Sequence, residues 1–193
     1  MKNLFIGAIV MMIITAIAFT AGTIAYFTDG EDDRLIISAD GSNLSGKIVE
    51  TTVLDGSDDP VYGPTTLRIV PGATVNKTVA IENTGTMSMY LRVSVDKVFF
   101  LAPENEGSAT DPALVSIEVN EAFWELRDGF YYYKEPLLRG ETTEPLFTEI
   151  KFSQEMGNVY EKSTIAFVVK AYATQILSDA TSVFDVTSWP DVQ

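Results

Sequence analysis

The sequence predicts an all-β protein, an antiparallel β-sandwich preceded by an N-terminal apolar helix. Three observations carry that expectation. Beyond residue 30, apolar and polar side chains alternate with a period of two, the spacing that sends successive side chains to opposite faces of a strand. Turn-forming residues separate these alternating runs. No long stretch after the apolar segment repeats with a helical period, although 101–113 and 153–163 have room for a turn or two. Such a pattern suits two packed antiparallel sheets, each with one apolar face. With 193 residues, 46% of them apolar, the chain can build a single sizeable core, and it shows no internal repeat.

The first element is the apolar segment. Residues 3–28 carry no charge, and only Gly7, Thr15, Thr20, Gly22 and Thr23 interrupt the apolar run from 4 to 25. Lys2 supplies a positive start. About 20 apolar residues suffice to span a bilayer, so residues 1–25 read as an export signal or as a retained membrane anchor. Thr23 and Ala25 are the small residues expected at −3 and −1 of a cut between Ala25 and Tyr26, and the acidic run Asp29, Glu31, Asp32, Asp33 follows. Residues 26–45 are then a polar, acidic extension around one apolar run, Leu35-Ile36-Ile37, and residues 46–193 form the sandwich domain.

Within that domain the strands follow in order. Runs at 48–54, 67–70, 75–82 and 114–119 alternate, and between the last two Met89, Leu91, Val93 and Val95 alternate with Tyr90, Arg92, Ser94 and Asp96. Asp128-Gly129 between two aromatic runs, 123–127 and 130–134, is the strongest hairpin signal. Leu146 to Phe152 and Thr164 to Ala173 supply the last strands. Pro71-Gly72, Asn83-Thr84-Gly85, Pro103, Pro112 and Arg139-Gly140 break the runs.

Composition narrows the function. The chain has 27 acidic against 13 basic residues, a net charge of −14, which argues against nucleic acid as a partner. Loss of residues 1–25 removes one lysine and no acid, so the exported part is one unit more negative still. There is no histidine and no cysteine, which removes Ser-His-Asp and Cys-His nucleophiles, histidine zinc sites and iron–sulfur clusters. The expectation is a protein that is not an enzyme and needs no cofactor. Export without cysteine fits a surface that does not rely on disulfides, such as that of a Gram-positive bacterium. The C-terminal Ser188-Trp189-Pro190-Asp191-Val192-Gln193 carries no sortase sorting sequence.

Four constellations have a plainer reading. Asp55, Ser57 and Asp59 occupy positions 1, 3 and 5 of an EF-hand count, but Pro60 stands where glycine is required and Thr66 where a glutamate is, so an acidic surface loop is favoured over a calcium site. Phe123, Trp124, Phe130, Tyr131, Tyr132 and Tyr133 could make a carbohydrate platform, yet facing aromatic pairs in a hairpin more simply pack against each other. Glu141 with Glu144, or Glu118 with Glu121, could be imagined as a glycosidase pair, but nothing in strand spacing sets a carboxylate separation. Asn43-Leu44-Ser45 and Asn76-Lys77-Thr78 match the glycosylation triplet by chance in a bacterial setting.

The order of several short motifs resembles the TasA/camelysin family of exported matrix proteins, most closely its BsaA-like branch of SipW-dependent biofilm proteins. They are Gly22-Thr23-Ile24-Ala25-Tyr26-Phe27-Thr28-Asp29; Lys47-Ile48-Val49-Glu50-Thr51-Thr52; Arg68-Ile69-Val70-Pro71-Gly72-Ala73-Thr74-Val75-Asn76-Lys77; Glu82-Asn83-Thr84-Gly85; Tyr131-Tyr132-Tyr133-Lys134; Gly140-Glu141-Thr142-Thr143-Glu144-Pro145-Leu146-Phe147; and Val169-Lys170-Ala171-Tyr172-Ala173-Thr174-Gln175. The resemblance covers most of 20–176 and leaves the tail 178–193 without a counterpart. It implies a jelly-roll-like sandwich that is secreted, cut by a SipW-type signal peptidase, and polymerised head to tail into extracellular fibres, with a possible minor fibre subunit as partner. The donor strand is then the freed N-terminal segment, about Tyr26 to Asp40, with Leu35, Ile36 and Ile37 as apolar anchors. Camelysin-type relatives are described as metalloproteases, but without histidine a zinc site would need carboxylates alone, so protease activity is not expected here. The alternative function is a monomeric or membrane-anchored, adhesin-like binding module. No residue in the sequence identifies an intermolecular Lys–Asn or Lys–Asp isopeptide bond of the kind conceivable in pilus-like fibres.

Overall fold

In the computed structural model of the chain, residues 34–38, 44–54, 59–176, 181–187 and 189 are described. The signal segment and the Ala25-Tyr26 cut lie outside them, as do Asp55 and Ser57 of the acidic loop. For 34–38 the description concerns the backbone.

Two sheets carry the fold. Sheet A contains β1 (Arg34–Ser38), β4 (Leu67–Arg68), β6 (Met89–Phe100), β8 (Trp124–Arg127), β9 (Phe130–Tyr133) and β11 (Thr164–Gln175), in the order β1-β11-β6-β9-β8 with β4 also on β11. Sheet B contains β2 (Gly46–Val53), β3 (Pro60–Tyr62), β5 (Thr74–Asn83), β7 (Val115–Val119) and β10 (Phe147–Phe152), in the order β3-β2-β5-β10-β7. The all-β, sandwich-like architecture expected from alternation is present, and every described pairing is antiparallel except β1 with β11. The segments left open for a helical turn form 3₁₀ turns at Pro103–Asn105, Pro112–Leu114 and Asn158–Tyr160. The run expected over 67–70 is a strand at Leu67 and Arg68; the Ile69 N–H still reaches the Ser163 carbonyl at 3.0 Å, but the Ser163 N–H donates to the Tyr160 carbonyl at 3.1 Å, so the ladder ends there.

The core forms where the apolar faces of the two sheets meet. Leu91 and Val93 of β6 and Ile165, Phe167 and Val169 of β11 are buried with Val79 and Ile81 of β5 and Phe147 and Ile150 of β10. The Phe147 and Phe167 rings, one from each sheet, lie 6.3 Å apart. Trp124 is buried beside Tyr133 at 5.0 Å, and its indole N–H donates to the Glu144 carbonyl at 2.9 Å, so the one polar atom of the indole is satisfied. At Asp128 and Gly129 φ is 50° and 81°, the left-handed pair that a type I′ hairpin requires.

Alternation fails at one end of sheet A. Met89, Tyr90 and Leu91 are consecutive buried residues of β6, and Tyr172, Ala173 and Thr174 of β11 are likewise buried on both faces. A second, smaller cluster explains it: Tyr90, Tyr132 and Val183 are buried together, with Phe130, Ile176, Phe184, Val186 and Trp189 packed around them. The C-terminal tail therefore covers part of the outer face of sheet A. The sequence placed Tyr90 and Arg92 on a polar face, and the tail makes that face partly internal.

Candidate functional site: a strand edge beside a C-terminal strap

The outer edge of β11 is shared by two short strands. β4 takes its beginning, with Arg68 opposite Thr164 and Leu67 opposite Ile165. β1 takes its end in parallel register, Arg34 opposite Lys170 through Ser38 opposite Thr174. Residues 166–169, between the two, pair with β6 alone among the described residues. The anchors expected from sequence, Leu35, Ile36 and Ile37, hold register positions opposite Ala171, Tyr172 and Ala173. β1 is five residues long and among the described residues pairs on one side only, with β11, which leaves its other row of N–H and C=O groups as an edge of the described sheet.

One cross-strand row links that edge to the tail. Ile36, Tyr172, Arg92, Tyr132 and Glu125 occupy successive strands at matching register. Along this row the Arg92 guanidinium stands 4.0 Å from the Phe130 ring centre, 4.8 Å from Trp189 and 5.4 Å from Tyr172, and it donates to the Tyr132 hydroxyl at 3.3 Å. Such a cation among ring faces is attracted by their quadrupoles, more strongly when water is excluded. Arg127 lies 3.6 Å from the Phe184 ring centre, and the Phe184 and Trp189 rings lie 5.8 Å and 5.7 Å from Tyr132. The tail holds its shape locally: a 3₁₀ turn over Val183–Asp185 is capped by Ser182, whose hydroxyl accepts from the Phe184 N–H at 3.3 Å, and the Asp185 carboxylate accepts from the Thr181 N–H and hydroxyl. The Tyr172 hydroxyl is buried at this junction and makes no hydrogen bond among the described residues.

The other sequence candidates are dispersed. Trp124, Tyr132 and Tyr133 are buried, so the hairpin aromatics pack inward or beneath the tail and do not form an open platform. Burial pushes the phenols of Tyr131 and Tyr133 above the usual tyrosine range. Glu118 forms an exposed ion pair with Lys151 across β7 and β10, and the Lys151 hydrogen bond holds its carboxyl below the usual range. Glu141 is engaged by the Leu138 N–H at 3.3 Å. Among the described residues no group of three or more acids is placed to hold a metal ion. Asp59 directly precedes the exposed strand β3.

Comparison of the chain with models of protein families, with curated proteins and with solved structures finds no match.

Two features escaped the sequence reading. The strap of 181–187 with Trp189 gave no periodic signal, because a 3₁₀ turn and isolated aromatics have none. The other is a charge pair inside sheet B, Glu50 with Lys77, whose signal was available: each interrupts an otherwise apolar or small face, Ile48-Glu50-Thr52 on β2 and Val75-Lys77-Val79-Ile81 on β5.

Proposed function

We propose that this chain is an exported, non-enzymatic structural subunit of an extracellular biofilm-matrix or pilus-like fibre. In this reading a jelly-roll-like body passes its N-terminal strand to the next subunit after a SipW-type peptidase cuts between Ala25 and Tyr26. The observation that supports it most is the placement of β1: the segment carrying Leu35, Ile36 and Ile37 pairs along one edge of β11 and nowhere else in the described sheets. An edge that accepts 34–38 from its own chain offers the same donors and acceptors to 34–38 of a neighbour. Exchange of that kind joins unlike surfaces head to tail and does not close, so it yields a filament. An N-terminus held in a membrane cannot make the exchange, which ties assembly to cleavage.

The same pairing kept within one chain describes a self-complemented monomer, as the adhesin-like alternative requires. Electron microscopy and sedimentation of mature protein, beside a version lacking residues 26–40, separate the two. Fibres from the mature protein and none from the shortened one are expected; fibres from both, or a single monomeric species from the mature protein, overturn the proposal.

A further inference from the structure

β2 and β5 are antiparallel neighbours with Thr52 opposite Lys77 and Glu50 opposite Val79, so Glu50 stands diagonal to Lys77 on the same face. That face points into the sandwich. Lys77, Thr52, Val79 and Ile81 are fully buried, and the Glu50 and Lys77 side chains have no exposed surface. The Lys77 ammonium contacts Glu50 Oε2 and lies 3.5 Å from the Thr52 hydroxyl, while Glu50 Oε1 has no hydrogen-bond partner among the described residues. Two full charges out of water, one of them incompletely paired, are expensive to keep. Transfer of one proton from nitrogen to oxygen leaves a neutral amine against a neutral carboxylic acid, the reactive forms for amide formation.

We propose that Glu50 and Lys77 condense into an intramolecular isopeptide bond. The Lys77 Nζ lone pair attacks Glu50 Cδ, the bond from Cδ to one carboxyl oxygen breaks, and that oxygen leaves as water carrying two protons from the ammonium. Ammonium plus carboxylate becomes amide plus water, with no oxidant, cofactor or further reactant. The Thr52 hydroxyl, 3.5 Å from Lys77 Nζ, is placed to accept a hydrogen bond from the nitrogen and hold it beside the carboxyl. Well-oriented intramolecular reactions reach effective concentrations of about 10⁵–10⁸ M, which works against the reluctance of an amine and a carboxylate to condense in water. Burial drives the same way, because the product is uncharged and the oxygen left without a partner is a neutral carbonyl.

The bond would join strands across a separation of 27 residues. It would sit in β2, the strand that follows β1 in the chain, so in a fibre any tension entering through an exchanged β1 would meet a covalent link to β5 before it could peel β2 away. That mechanical consequence rests on the fibre reading; the bond itself does not.

Intact-mass measurement of the purified protein, followed by peptide mapping, tests it. The expected result is a folded chain lighter than its sequence by one water molecule, with a branched peptide joining 48–53 to residues around Lys77. Glu50→Gln should give the same branched peptide with loss of ammonia instead, and Lys77→Met should have its full sequence mass. A wild-type protein of full sequence mass with separate peptides from β2 and β5 overturns the proposal, and this outcome needs no variant to fold.

Discussion

At the Asp128-Gly129 turn a single residue type decides whether a hairpin closes. Gly129 has φ of 81°, and a Cβ built there would meet nothing within 4 Å, so replacing it tests the backbone alone. Gly129→Ala is expected to cost about 1 kcal/mol in urea unfolding, the cost of left-handed backbone for an L residue. The turn was legible in the sequence because it depends on two adjacent residues. Glu50 and Lys77 were legible only as charges breaking an apolar face; that they meet could not be read, since each strand's own pattern says nothing about its neighbour. Exposed ion pairs such as Glu118 with Lys151 and Glu104 with Lys162 are visible as charges too, but screening leaves them worth little.

Among the elements, the strands were the best predicted and the tail the worst. Alternation located β2, β5, β6, β10 and β11 to within a few residues, because one face of each packs on the core. The strap has no period, and its contribution is aromatic. Trp189 lies against Tyr132 and Arg92, so Trp189→Ala should lower stability by about 2 kcal/mol in denaturant titration. It should also make Tyr90 and Tyr132 more reactive to tyrosine modification. Unchanged stability together with unchanged tyrosine reactivity would mean that the strap does not cover sheet A in solution. The β1 edge belongs to this scale as well. β1 is a short strand paired in parallel over five backbone positions, a pairing slightly weaker per residue than an antiparallel one, which suits the exchange proposed above.

For the whole molecule the governing quantity is charge. With 27 acids and 13 bases, subunits of like sign repel over a distance set by salt, about 10 Å at 0.1 M. If the proposed fibre forms, its assembly from the cut protein, followed by light scattering, should therefore strengthen as ionic strength rises; assembly that weakens monotonically with salt would contradict that proposal. By itself the sequence determined the all-β class, most strand positions, the hairpin turn and the absence of histidine and cysteine chemistry, since each is a matter of composition or of neighbours along the chain. Tertiary structure alone decided that β1 lies parallel on β11, that the tail turns Tyr90 and Tyr132 inward, and that Lys77 reaches Glu50. Those contacts join residues distant in sequence, and they exist only once the sheet order brings particular strands side by side.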